Sequence, residues 1–151
     1  MIPETTAVDS YELTDGTYAV ELRKLVTPNG ERLVVTSDDA STPLDALALE
    51  SLTWQNADFF SDLIGIPHDG GGDATDTGKP MMQIGNEYTT VRIRTHKTAT
   101  GPRITLRSPK LEYQCWLTPA ELDAIAYKPL SFFTDLLETP LGPESDHTHV
   151  L

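Results

Sequence analysis

The sequence predicts an α+β protein built from two copies of one unit, a four-strand antiparallel sheet followed by helix, related as a pseudo-twofold pair. Three observations lead there. The chain resembles itself at a fixed offset, polarity alternates with period two in the middle of each copy, and each copy ends on a helix cap followed by an apolar helical face.

The self-similarity runs through most of the 151 residues. At an offset of 71, Leu13 faces Ile84, Val20 faces Val91, Leu22 faces Ile93, Arg23 faces Arg94, Gly30 faces Gly101, Arg32 faces Arg103, Val35 faces Leu106 and Ser37 faces Ser108. Two residues are then gained. At an offset of 73, Leu44 meets Leu117, Asp45 meets Thr118, Leu49 meets Leu122, Phe59-Phe60 meets Phe132-Phe133, Asp62 meets Asp135 and Pro67 meets Pro140. This divides the chain into a first repeat over 8–67, a linker rich in Gly and Asp over 68–79, a second repeat over 80–141 and a tail over 142–151. A unit of this size is near the lower limit for a stable core, so the repeats are expected to pack as one domain.

Each repeat opens with an extended piece and a tight turn at Asp15-Gly16 or Gly85-Asn86, where Gly and Asn tolerate positive φ. Tyr18 to Val26 and Tyr88 to Lys97 then alternate in polarity, the chain turns at Thr27–Gly30 and Thr98–Gly101, and Arg32 to Ser37 and Arg103 to Ser108 return it. A fourth strand spans Leu111 to Leu117; its counterpart in the first repeat is shorter, and Pro43 places it at a sheet edge. Thr118 is then an N-cap, with Pro119 at N1 and Glu121 at N3 completing a capping box, and Asp45 is the matching cap. After a break near Tyr127-Lys128-Pro129, Phe132, Phe133, Leu136 and Leu137 recur at helical spacing, as do Phe59, Phe60, Leu63 and Ile64, which marks core.

Composition narrows the function classes. No apolar stretch approaches the roughly 20 residues of a membrane span, Met1–Glu4 shows no secretory pattern, and the single Cys115 has no internal disulfide partner. A cytoplasmic location is the expectation. The chain has 23 acidic and 11 basic residues, a formal charge of −12, with 13 Asp and only 5 Lys. Such a balance is strongly self-repelling unless salt screens it, and it resembles the proteins of salt-in halophiles.

The charge is unevenly placed. Residues 1–77 carry 15 acids and 3 bases, whereas residues 78–151 carry 8 of each. Between Tyr88 and Lys110 there are six basic residues and no acid. Because strand side chains alternate between faces, Val91, Ile93, Ile104 and Leu106 point to one side and Arg92, Arg94, His96, Arg103, Thr105 and Arg107 to the other. Trp116 falls on the arginine parity, so Arg92, Arg94, Arg103, Arg107 and Trp116 form a candidate binding face. Basic sheet faces with an aromatic ring suit single-stranded nucleic acid, through phosphate contacts and stacking. The first repeat keeps Arg23 and Arg32 but has Glu21 and Thr36 where the second has Arg92 and Arg107.

Two resemblances follow from these residues. Asn86–Arg92, Ile104–Arg107 and Leu117–Leu122 resemble the strand and helix-start pattern of the PC4-type coactivators, and the duplicated order of strands and helix is similar to the Whirly proteins. This resemblance implies a single-stranded DNA-binding sheet. Leu44–Gln55 and Glu138–Glu144 resemble segments of an uncharacterised haloarchaeal protein family, which bears on habitat and implies no activity.

Signals for catalysis are weak. Gly72–Pro80 departs from a phosphate-binding loop in spacing, and Pro80 stands where the magnesium ligand would be. His147 and His149 lie in the expected tail and are not assigned a metal. Cys115 has core parity, which suits an inert thiol, and His96 reads as a solvent-exposed strand histidine. The expectation is a non-catalytic accessory or regulatory binding protein without cofactor. Its partner is single-stranded DNA or RNA, or alternatively an acidic protein surface or a second copy of the chain.

Overall fold

A computed structural model describes residues 6–68, 75–98 and 101–137. β1 (Thr6–Thr14), β2 (Ala19–Thr27), β3 (Gly30–Thr36) and β4 (Ser41–Asp45) form one antiparallel sheet in sequence order, followed by α1 (Ala46–Thr53) and α2 (Ala57–Ile64). The pattern recurs in β5 (Thr75–Gly85), β6 (Thr90–Thr98), β7 (Gly101–Ser108), β8 (Tyr113–Leu117), α3 (Pro119–Ala126) and α4 (Leu130–Leu136). The duplicated sheet-plus-helix unit of the sequence is therefore the fold. No helix among the described residues is long and apolar enough to cross a membrane.

The turns and caps show how the repeats use different residues for one task. Asp15 Oδ1 accepts the backbone N–H groups of Thr17 and Tyr18 at 2.9 and 2.8 Å, and Asn86 Oδ1 accepts those of Tyr88 and Thr89 at 2.8 and 3.0 Å. Gly16 has φ 91°, whereas neither Gly85 nor Asn86 has positive φ. The left-handed turn expected at Gly85-Asn86 is thus corrected: the asparagine side chain, with the backbone hydrogen bond from Asn86 N–H to the Thr89 carbonyl at 3.0 Å, closes that turn without positive φ. Asp45 caps Ala48 N–H, and Thr118 with Glu121 forms the full capping box with Pro119 in the first turn. β4 and β8 are edge strands, which accommodates Pro43.

Several strand boundaries differ from the sequence reading, and two of them have a physical reason. β8 starts at Tyr113, not Leu111, because Glu112 takes φ 63° and breaks the extended run. β5 starts at Thr75, inside the span read as linker, with Thr75 opposite Lys97 and Asp76 opposite His96. Its polar composition looked unable to bury anything, but an edge strand is held by backbone hydrogen bonds that composition does not report. Residues 69–74 of the linker and the tail 142–151, with His147 and His149, lie outside the described residues.

The repeats exchange helices. α1 packs on β6, β7 and β8 of the other repeat, and α3 packs on β2, β3 and β4. The second helices cross over as well, α2 against α3 and α4 against α1. One core results, in which Leu22, Leu33 and Val35 of the first sheet, Ile93, Ile104 and Leu106 of the second, and Leu49, Leu52, Leu122 and Ile125 of the helices are each at most 1% exposed. The hairpins also interlock. Gly30 takes φ 117°, and a Cβ added there would lie 3.0 Å from the Asn86 side chain, while Glu31 Oε1 accepts Gly85 N–H at 2.9 Å.

A carboxylate fastens each exchanged helix, buried in α1 and half-buried in α3. Glu50 of α1 accepts hydrogen bonds from Thr89 Oγ1 at 2.6 Å and Ser108 Oγ at 2.7 Å. Its counterpart by the repeat offset, Asp123 of α3, accepts from Ser37 Oγ. Replacing Glu50, 6% exposed, leaves two buried hydroxyls without their acceptor. Glu50→Ala is therefore expected to lower stability by about 2–4 kcal/mol, and Asp62→Ala on the exposed side of α2 by less than about 0.5 kcal/mol. Urea unfolding of both variants at one fixed salt concentration checks this.

Candidate nucleic-acid interface

Strand register turns the arginine parity into a grid. Across β6, β7 and β8 the outward rows read Arg92, Arg107, Gln114; then Arg94, Thr105, Trp116; then His96, Arg103, with Gln83, Pro80 and Asp76 as the register partners of Arg92, Arg94 and His96 on β5. Neighbours lie about 5 Å apart across the sheet and about 7 Å along a strand. All five candidate residues thus fall on one face, as their parity requires. That face points away from the shared core, since the intervening Val91, Ile93, Ile104, Leu106, Cys115 and Leu117 are buried in it.

The grid is open at one end and covered at the other. Arg92 is exposed and Arg94 and Arg107 are half-buried, but Arg103 is 4% and His96 8% exposed. The sequence reading that offered Arg103 to a ligand and His96 to solvent is corrected here, because alternation fixes which face a side chain takes and not what lies over that face. Arg103 Nη1 donates to the Pro102 carbonyl at 2.9 Å, as Arg32 Nη1 donates to the Glu31 carbonyl at 3.1 Å in the first repeat. The His96 and Trp116 rings are 6.5 Å apart, and Trp116 is half-buried with its indole N–H turned inward.

Two further groups share the open end. Tyr88 is 61% exposed, and Lys110 donates from Nζ to its carbonyl at 3.2 Å. Both sit in the turns just beyond Arg92 and Arg107. In the sequence Lys110 counts among the bases without a place at the site, and Tyr88 reads as the first residue of the strand, whereas β6 starts at Thr90 and leaves Tyr88 in the turn. The hairpin register, with β6 and β7 ending side by side, is the signal that finds them.

Arg92 stands directly opposite Arg107. Like charges in that position repel, and among the described residues neither arginine forms an ion pair. The first repeat is different. Its rows read Glu12, Glu21, Thr36, Ser41; then Ser10, Arg23, Val34, Pro43; then Leu25, Arg32, Asp45. Arg23 lies 4.0 Å from Glu21, which also accepts from Ser10 Oγ at 3.1 Å, so the base at this position is paired.

Cys115 is buried opposite Leu106, and its thiol is pushed well above the ordinary cysteine range, first by burial and then by the Glu121 carboxylate. No group of three or more His, Cys, Asp and Glu among the described residues is placed to hold a metal ion. No protein-family model matches the chain, and no curated protein matches it.

The thiol gives a test with a definite sign. Because its folded pKa is raised above 9.0, the folded state retains a proton that the unfolded state loses. The stability this contributes is present below that pH and falls as pH rises past it. Ellman's reagent at pH 8 should label Cys115 only as fast as the chain opens, with stoichiometric labelling in denaturant.

Proposed function

We propose that the chain is a non-catalytic, accessory or regulatory single-stranded nucleic-acid-binding protein whose contact is the open end of the second sheet. Arg92, Arg94 and Arg107 hold phosphates, and Trp116 and Tyr88 offer rings for stacking. The observation that carries this reading is the facing pair Arg92 and Arg107, register partners on adjacent strands whose backbones run about 5 Å apart, with no carboxylate ion pair among the described residues. An anion lying between them converts the repulsion into two charge-assisted hydrogen-bonding contacts. The resemblance to PC4-type and Whirly sheets supports the same assignment, and so does the division of charge between the repeats. A cytoplasmic site of action goes with this reading.

Salt sets the terms. At the molar salt the composition suggests, counterion release contributes little, so stacking has to supply most of the affinity. A second reading has one observation in its favour: the first sheet presents Glu12 and Glu21 at the register positions where the second presents Gln83 and Arg92, so a second copy of the chain offers acids at matching spacing. In that case the same arginines mediate self-assembly.

Fluorescence anisotropy of labelled single-stranded DNA and RNA across a KCl series separates the two. The triple variant Arg92→Ser, Arg94→Ser, Arg107→Ser is expected to bind at least about tenfold more weakly, with the slope of log affinity against log salt reduced by about 2 for three lost phosphates. Trp116→Ala should weaken binding with the slope unchanged. Absence of binding at every salt where the chain is folded overturns the nucleic-acid reading. If the triple substitution then lowers the mass of the protein in light scattering, the arginines belong to a self-association surface.

A further inference from the structure

The duplication exposes a second site by comparison of its two halves. In one half, the ring of His68, just after α2, stacks on Phe60 with centroids 4.8 Å apart and planes 28° apart. Its Nδ1 is 2.6 Å from Glu121 Oε2 of α3, and its backbone N–H donates to Ser61 Oγ at 2.9 Å. A ring is thus seated against the phenylalanine of a second helix, where that helix meets the first helix of the other repeat.

In the other half the matching place is a cleft of about 270 Å³ among β4, α1 and α4. At the repeat offset Phe133 stands for Phe60, Thr134 for Ser61 and Ala48 for Glu121, and all three line it. Its walls include Leu47, Leu130 and Leu137, of which Leu130 is 56% and Leu137 40% exposed. The loss of the glutamate side chain at Ala48 leaves room. Arg32 and Asp45 stand at its polar side, directly opposite each other in the β3–β4 register. They are register neighbours of opposite charge, yet they form no ion pair with each other within 4.0 Å. The Asp45 carboxylate already accepts Ala48 N–H through Oδ1, which holds it in place at the helix cap.

We propose that this cleft binds a free amino acid with an apolar or aromatic side chain. The α-carboxylate meets Arg32, the α-ammonium meets Asp45, and the side chain lies against Phe133 as His68 lies against Phe60. A zwitterion is the ligand class because both charges stand at one polar rim without an ion pair between them, and an apolar side chain because Leu47, Leu130, Phe133 and Leu137 make up most of the remaining wall. The site is separate from the arginine face and does not rest on the nucleic-acid reading.

Isothermal titration of the full chain with L-phenylalanine, 3-phenylpropanoate and phenethylamine tests it. Phenylalanine is expected to bind, and each analogue lacking one charge to bind at least about tenfold more weakly, as loss of a charge-assisted hydrogen bond requires. Arg32→Gln should weaken phenylalanine about tenfold while leaving phenethylamine unchanged, a discrimination that mere loss of structure would not give. Leu130→Asp, on an exposed wall residue, should weaken both ring ligands. No binding to the full chain, or binding indifferent to Arg32→Gln and Leu130→Asp, overturns the proposal. His68 aligns with Leu141 at the repeat offset, so Leu141→Asp is titrated alongside. If only that variant binds, the cleft is taken by the chain itself and the proposal likewise falls.

Discussion

The structure depends on the exchange of helices between repeats. Each four-strand sheet buries one face and needs an apolar layer to cover it, yet α1 and α3 lie mainly on the sheet of the other repeat. A repeat on its own keeps its helices but loses the sheet that they cover. Size alone would make such a unit marginal, and the exchange makes folding of the two halves one event. The hydrogen bonds from Thr89 and Ser108 to Glu50, and from Ser37 to Asp123, reinforce this because each has its donor in one repeat and its acceptor in the other. A buried carboxylate is costly unless its lone pairs are used, so these contacts also fix the angle at which each helix sits.

That constraint explains what was legible in the sequence. Core positions come in pairs, Leu22 with Ile93, Leu33 with Ile104, Leu49 with Leu122 and Phe60 with Phe133, and all eight are buried. Because both halves must fill the same shared interior, these pairs stay similar enough to detect the offset, and the offset with the alternation yields strand order, face and caps. The exchange itself left no mark. Packing a helix on its own sheet or on its neighbour's demands the same apolar stripe, and only the spatial arrangement distinguishes them. Likewise nothing in the spacing of Glu50, or of Glu121 beyond its capping box, reveals the hydroxyls of Thr89 and Ser108 or the imidazole of His68.

The candidate interface was legible to the same depth. Parity put Arg92, Arg94, Arg103, Arg107 and Trp116 on one face, and the register does so too. Exposure was not legible: Arg103 and His96 are covered while Arg92 is open, although all three share one parity. The cleft at Arg32 and Asp45 escaped for a related reason, since it is assembled from separate elements.

The outward positions bear none of the core's constraint, and this is where the halves part. One outer face sets Arg23 beside Glu21 and Arg32 opposite Asp45, and the other sets Arg92 against Arg107. The helix junctions diverge in the same way, one closed by His68 on Phe60 and the other, among the described residues, a cleft at Phe133. A fold held by a common core can therefore change the charge of one sheet face or empty one junction at little cost, because these side chains are not shared between repeats. The asymmetries are then the features least explained by stability. Facing arginines oppose folding slightly, and an open apolar cleft forgoes burial that the other half obtains. Features that subtract from stability in one copy, while the other copy shows the stable alternative, are where binding partners should be sought.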